Sequence, residues 1–194
     1  ALKLATAVSV NIETPGAENL EKLSKKKRYI EDIIASMKRM WRITKKGANQ
    51  QKVKQSTQFI VGPAGETDQQ IVKYTQALYQ RLKLCRVYFS AYQNHLGDPD
   101  IPIHTDPDKH NPGQRNNPPK TSSNGHDIIT REHRLYQVDF LLRKYGFDYS
   151  ELVFDTNGKL SLEADPKEVW AKHNPQFFPV NANTAKKMAL LRVP

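Results

Sequence analysis

Hydrophobic and polar positions along the chain follow two periods, and the changes of period mark its elements. Over residues 6–13, Val8, Val10 and Ile12 alternate with Ser9, Asn11 and Glu13, the period of two that a strand with unlike faces produces. One whole face of that strand is polar, and in a sheet covered by helices such a face lines an interior or a cleft. Pro15 and Gly16 end it. Over residues 29–43 the spacing becomes three and four. Ile30, Ile33, Ile34, Met37, Met40 and Trp41 predict an amphipathic helix with basic residues on its other side.

Phe59, Ile60 and Val61 predict a second strand, ended by Gly62-Pro63-Ala64-Gly65. Thr67 and Gln70 form a T-x-x-Q box, a helix start whose cap is worth ~1 kcal/mol, and Ile71, Tyr74, Leu78 and Leu82 make the buried stripe that follows. Residues 85–92 predict a third strand. Strand, helix, strand, helix, strand is the order of an α/β fold with parallel strands and right-handed crossovers, whose ligands gather at strand carboxyl ends. Here those ends are residues 11–13, 61–66 and 90–93. A strand that enters a capped helix through a glycine turn leaves backbone N–H groups open to a small ligand.

Residues 94–129 contain Pro99, Pro102, Pro107, Pro112, Pro118 and Pro119 among polar residues, the composition of a long loop or disordered insertion. His95, His104, His110 and His126 lie within it, spaced too loosely for a zinc site. Thr130 then caps a helix with Leu135, Val138, Leu142 and Tyr145 inward and Gly146 as its stop. Its opening Arg131, Glu132, His133 and Arg134 read as a solvated first turn; His133 acts as an acid or base only if another group positions it. Asp165-Pro166 opens a short helix and Thr184 a last one. Trp170, Phe177 and Phe178 are expected to pack this tail onto the preceding α/β part, the alternative being exposed aromatics beside basic residues that stack on bases. The chain thus divides into 1–93, 94–129 and 130–194.

At 194 residues the chain supports one sizeable core. No apolar run approaches the ~20 residues of a membrane span, and no secretory leader is legible, so a cytoplasmic location is expected. Cys85 is the one cysteine, which excludes an internal disulfide and a three-thiolate metal site within the chain. It reads as a small buried hydrophobe. The formal charge of +10 is concentrated: residues 22–54 hold twelve Lys or Arg against Glu31 and Asp32, and elsewhere the signs cancel. Lys25, Lys26, Lys27, Arg28, Lys45 and Lys46 are therefore candidate nucleic-acid contacts, because each neutralised phosphate releases counterions. A solvated helix with lysine-rich flanks is the alternative.

The stretches "VSVNIETP", "QSTQFIVGPAGETD", "RVYFSAY" and "REHRLYQVDFLLRKYGF" resemble the second half of radical S-adenosylmethionine proteins. More narrowly they are similar to a group assigned to DNA modification or repair, in which a helix-hairpin-helix element follows the barrel. The resemblance implies the carboxyl-terminal half of a partial (β/α) TIM-like barrel, strands four to six, with a helical extension. It implies S-adenosylmethionine as cofactor, with Ser9, Asn11 and Glu13 on its ribose or amino-acid end. The fifth-strand motif G-x-I-x-G-x-x-E, which supports adenine, falls on Ile60, Gly62 and a nearby acid. Gln58 replaces its first glycine, and Glu66 comes one place later than its usual acid. Tyr88, Ser90 and Ala91 match the sixth strand, whose contacts to adenine are mostly main-chain.

The same family holds a [4Fe–4S] cluster on three cysteines. With one cysteine, the chain is expected to be a piece that binds no cluster alone and has an amino-terminal half as its partner. Two functions stay open. One is the carboxyl-terminal part of a radical enzyme acting on nucleic acid; the other is a non-catalytic nucleic-acid-binding module with a half-barrel fold.

Overall fold

The computed structural model describes residues 4–92 and 124–194. Three parallel strands, β1 (Ala7–Ser9), β2 (Lys54–Val61) and β3 (Arg86–Ala91), form one sheet in the order β1-β2-β3. Between β1 and β2 run α1 (Ala17–Leu23), a π-helical segment (Tyr29–Ile34) and α2 (Ala35–Thr44). Helix α3 (Asp68–Leu82) joins β2 to β3, and α4 (Asn124–Lys144), α5 (Pro166–His173) and α6 (Lys187–Leu190) follow. The alternation of strand and helix periods is therefore realised as a mixed α/β arrangement with a parallel sheet.

The sheet has two unlike faces. Gln55, Thr57, Phe59, Val61, Val87 and Phe89 are buried, whereas Ser56, Gln58, Ile60, Arg86 and Ser90 are half-exposed and Tyr88 is exposed. Pairing of Ser56 with Arg86, Gln58 with Tyr88 and Ile60 with Ser90 puts the second set on one side. The helices take the first side. Phe59 stacks on Phe89 and Phe89 meets Tyr136 of α4 edge-on, Gln55 donates to the Met37 carbonyl of α2, and Ile71, Val72 and Leu78 of α3 join the same cluster. Full burial of a side chain such as Phe59 is worth about 1.5–3 kcal/mol. The helical tail shares this core through Leu152, Leu160 and Trp170.

The first strand differs from expectation. Regular pairing stops at Ser9, which faces Ser56, and resumes only at Glu13, which faces Phe59. Four residues on one strand thus span three on its neighbour. The Thr57 hydroxyl fills the gap, donating to the Val10 carbonyl at 2.8 Å and accepting from Ile12 N at 2.9 Å. This bulge reverses the faces beyond it, so Ser9, Asn11 and Glu13 do not share the single polar face that their alternation predicts. Glu13 absorbs the change at φ 65°, a conformation that costs a non-glycine residue about 1–3 kcal/mol.

The helix expected over 29–43 begins with a π-helical turn, closed by Ala35 N on the Ile30 carbonyl. The wider turn rotates the apolar stripe. Ile33 and Met37 are buried while Ile30 is exposed. Thr67 and Gln70 make the expected reciprocal cap, Asp165 caps α5, and Gly146 follows α4 at φ 66°. Thr130 is not a cap, because α4 already starts at Asn124, inside the stretch read as loop. The remainder of that stretch, with His95, His104 and His110, lies outside the described residues. Helix α6 starts at Lys187 rather than Thr184. Trp170 is buried against Phe147 and Phe178, while Phe177 stacks on its ring yet stays exposed. Cys85 is exposed rather than buried: it precedes β3, and Leu84 takes the core position.

Candidate functional site at the strand carboxyl ends

Beyond Val61 the chain turns at Gly62 with φ 106° and at Gly65 with φ 72°, conformations that glycine adopts without penalty. Two of the backbone N–H groups expected to be open to a ligand, those of Gly62 and Ala64, are already satisfied. Glu66, 4% exposed, folds its carboxylate back into the turn and accepts from Gly62 N at 2.5 Å and Ala64 N at 3.1 Å. Gly62 does permit a close approach, but the partner is internal. A Cβ there would stand 2.9 Å from Ile128 Cδ1 of α4. Gly62 and Glu66 therefore shape the edge from within the fold.

The first turns of α4 reach over these ends. Arg131 Nε donates to Asp68 Oδ1 at 2.5 Å and Nη2 to the Glu66 carbonyl at 2.7 Å. Asp68 is buried and also accepts from Leu160 N at 2.9 Å. One carboxylate thus joins the start of α3, helix α4 and the 155–160 loop. The next side chain, Glu132, accepts from Ala91 N at 2.5 Å, and Tyr136 OH both accepts from Phe89 N at 3.0 Å and donates to its carbonyl at 2.9 Å. Arg131 and Glu132 are half-buried, so the expectation of a solvated first turn is corrected for these two residues; His133 alone of the four is exposed. The density of functional groups was the available signal. What they touch depends on long-range packing.

The remaining cofactor candidates fall into two groups. Ser9 and Asn11 are exposed, with Ser9 Oγ 3.4 Å from Asn11 Oδ1 and 3.2 Å from the Ser56 carbonyl. They join Gln58, Ile60, Tyr88 and Ser90 on neighbouring strands, where Ile60 and Ser90 are direct partners. Glu13 and Ala91 stand apart by being engaged: Glu13 with Lys27 at 2.9 Å, and Ala91 N with Glu132.

The basic candidates do not form one face. Lys25, Lys26, Lys27 and Arg28 lie between α1 and the π-helical turn, near the strand carboxyl ends. Lys45 and Lys46 follow α2 on the way to the amino end of β2. Sixteen residues, Tyr29–Ile34 and Ala35–Thr44, separate the groups by roughly 20–25 Å. Lys27 and Arg28 have acidic partners, Glu13 and Asp32, and Lys45 lies 5.3 Å from the Trp41 ring. Lys25 and Lys26 are exposed. Hydrogen bonds from Arg28, main chain first and then side chain, hold the Asp32 carboxyl below its usual range.

Two clefts lie elsewhere. One of about 390 Å³ is lined by Gln76, Tyr79, Cys85, Arg143 and Asp148, and one of about 540 Å³ by Tyr136, Phe140, Tyr145, Lys167 and Pro194. Above the first, Asp139 is fully buried and bound by Arg143 at 2.6 Å and by Tyr79 OH, an arrangement that satisfies its charge inside the core. Among the described residues no group of three His, Cys, Asp or Glu meets as a metal site, and no helix is long and apolar enough to cross a membrane. No family model, curated protein or solved structure matches the chain.

Proposed function

We propose that the chain is the carboxyl-terminal part of a radical S-adenosylmethionine enzyme acting on nucleic acid, its sheet a segment of a (β/α) barrel. The one-sidedness of the sheet carries this reading. Among the described residues the helices pack mainly against one side, and the opposite side, with Ser9, Ser56, Gln58, Ile60, Tyr88 and Ser90, is mostly polar and half-exposed or exposed. A barrel segment has that form, since its inner face meets the interior and its outer face the helices. A doubly wound sheet carries helices on both faces.

The residues fit the cofactor's polar end. The Ser9 hydroxyl, the Asn11 amide and the Ser90 hydroxyl offer donors and acceptors for ribose hydroxyls and an amino-acid group. Bound S-adenosylmethionine supplies an adenosyl group for radical formation. Glu66, Arg131 and Ile128 keep the Gly62 edge fixed beside it. A [4Fe–4S] cluster does not fit this chain. It needs three thiolates, and the one cysteine precedes β3, at the amino end of the strands.

Thermal unfolding with S-adenosylhomocysteine tests the proposal. A ligand that binds only the folded state raises Tm with concentration. The expected result is a saturable rise that Asn11→Ala diminishes; an unchanged Tm at millimolar ligand contradicts it. Nucleic-acid contact through Lys25 and Lys26 is tested separately: their joint replacement by Gln reduces the salt dependence of DNA affinity by about two counterion equivalents.

A further inference from the structure

We infer that the sheet face carrying Gln58, Arg86 and Tyr88, half-exposed or exposed among the described residues, is a landing surface for single-stranded nucleic acid, with the Tyr88 ring as the stacking platform for one base. The inference rests on the nucleic-acid part of the reading above and not on its cofactor part. Tyr88 is 46% exposed, a large ring on β3, which stands at the edge of the described sheet. Arg86, two residues earlier on the same strand, holds its guanidinium 5.6 Å from the Tyr88 ring centre. Gln58, directly paired with Tyr88, presents an amide that both donates and accepts, as recognition of a base edge requires.

The charge on this face selects the ligand. Lys54 and Arg86 belong to it, and none of the strand residues on this face is acidic. Arg86 does lie 3.8 Å from Asp139, but that carboxylate is already held by Arg143 at 2.6 Å. One negative charge thus stands against two guanidinium groups. The surplus favours phosphate. An aromatic ring beside cations and hydroxyls is the composition with which proteins hold unpaired strands, stacking bases and tracking phosphates. Because Arg86 and Lys54 lie toward the amino ends of the strands and Ser90 toward the carboxyl ends, a base on Tyr88 sits between the phosphate-binding cations and the proposed cofactor edge.

Fluorescence anisotropy with a labelled single-stranded 15-mer DNA and its duplex tests the inference on the full chain. The single strand is expected to bind more tightly than the duplex. Tyr88→Leu weakens single-strand binding about tenfold and Tyr88→Phe by less than about twofold, as loss and retention of a stacking ring require. Lys54→Gln lowers the salt slope by about one. Circular dichroism and Tm identify any variant that fails to fold, and Tyr88→Phe then carries the comparison with Lys54→Gln. Duplex binding equal to single-strand binding overturns the inference. So does single-strand affinity that ignores Tyr88→Leu yet falls with Lys25→Gln and Lys26→Gln; in that case the nucleic-acid reading survives at another surface. Absence of binding to either DNA at low salt overturns both.

Discussion

Arg131 and Asp68 meet at 2.5 Å although 63 residues separate them, and their contact ties the carboxyl edge of the sheet to the helical tail. The Arg131 side chain is 15% exposed and that of Asp68 1%, so removing one partner leaves a charge in a poorly solvated place. Arg131→Met is expected to cost about 3 kcal/mol, read as a lowered urea midpoint with an unchanged slope. A loss below about 0.5 kcal/mol would show the pair to be dispensable.

Gly62 faces Ile128 in the same region. Alanine there meets two obstacles, the φ of 106° and the 2.9 Å approach of Ile128 Cδ1. Gly62→Ala is expected to destabilise by about 1–3 kcal/mol. Adding Ile128→Ala removes the steric part and leaves the backbone part, so the two changes couple in a double-mutant cycle. Strict additivity in chemical denaturation would remove the proposed contact.

Asp148 provides a pH signature. Its carboxylate is held below the ordinary value of 3.8, first by the hydrogen bond from Ser150 N, then by the Ser150 hydroxyl and Gln76. A folded-state pKa that is depressed contributes stability above the unfolded value, and the contribution is lost as pH falls through the folded one. The window therefore lies below 3.8. Asp148→Asn should flatten Tm against pH in that range. An identical acid limb in both proteins would refute the assignment.

Cys85, exposed before β3, is expected to react with a thiol reagent in the folded protein as fast as after denaturation, within about tenfold. Protection by several orders of magnitude in a timed thiol assay would place it inside the core.

The elements that local chemistry decides were legible in the chain. The Thr67 and Gln70 cap, the Asp165-Pro166 start and the Gly146 stop each depend on residues within a few positions of one another. The candidate edge was legible only in outline, because its details come from distant partners. Alternation at Val8, Val10 and Ile12 predicts a straight strand, and only the Thr57 hydroxyl of the neighbouring strand reveals the bulge. Nothing local distinguishes a Glu66 that binds a ligand from one that satisfies Gly62 N and Ala64 N. The basic segment likewise has a compact charge in sequence, and the helical residues from Tyr29 to Thr44 divide it in space.

Backbone amide chemical shifts recorded while S-adenosylhomocysteine is added test the proposed cofactor edge most directly. Perturbations are expected to group at residues 9–13, 56–62 and 88–92, along β2 and β3 and at the end of β1. Shifts confined to the helical clefts around Tyr79 or Phe140, or no shifts at saturating ligand, would contradict the proposed edge.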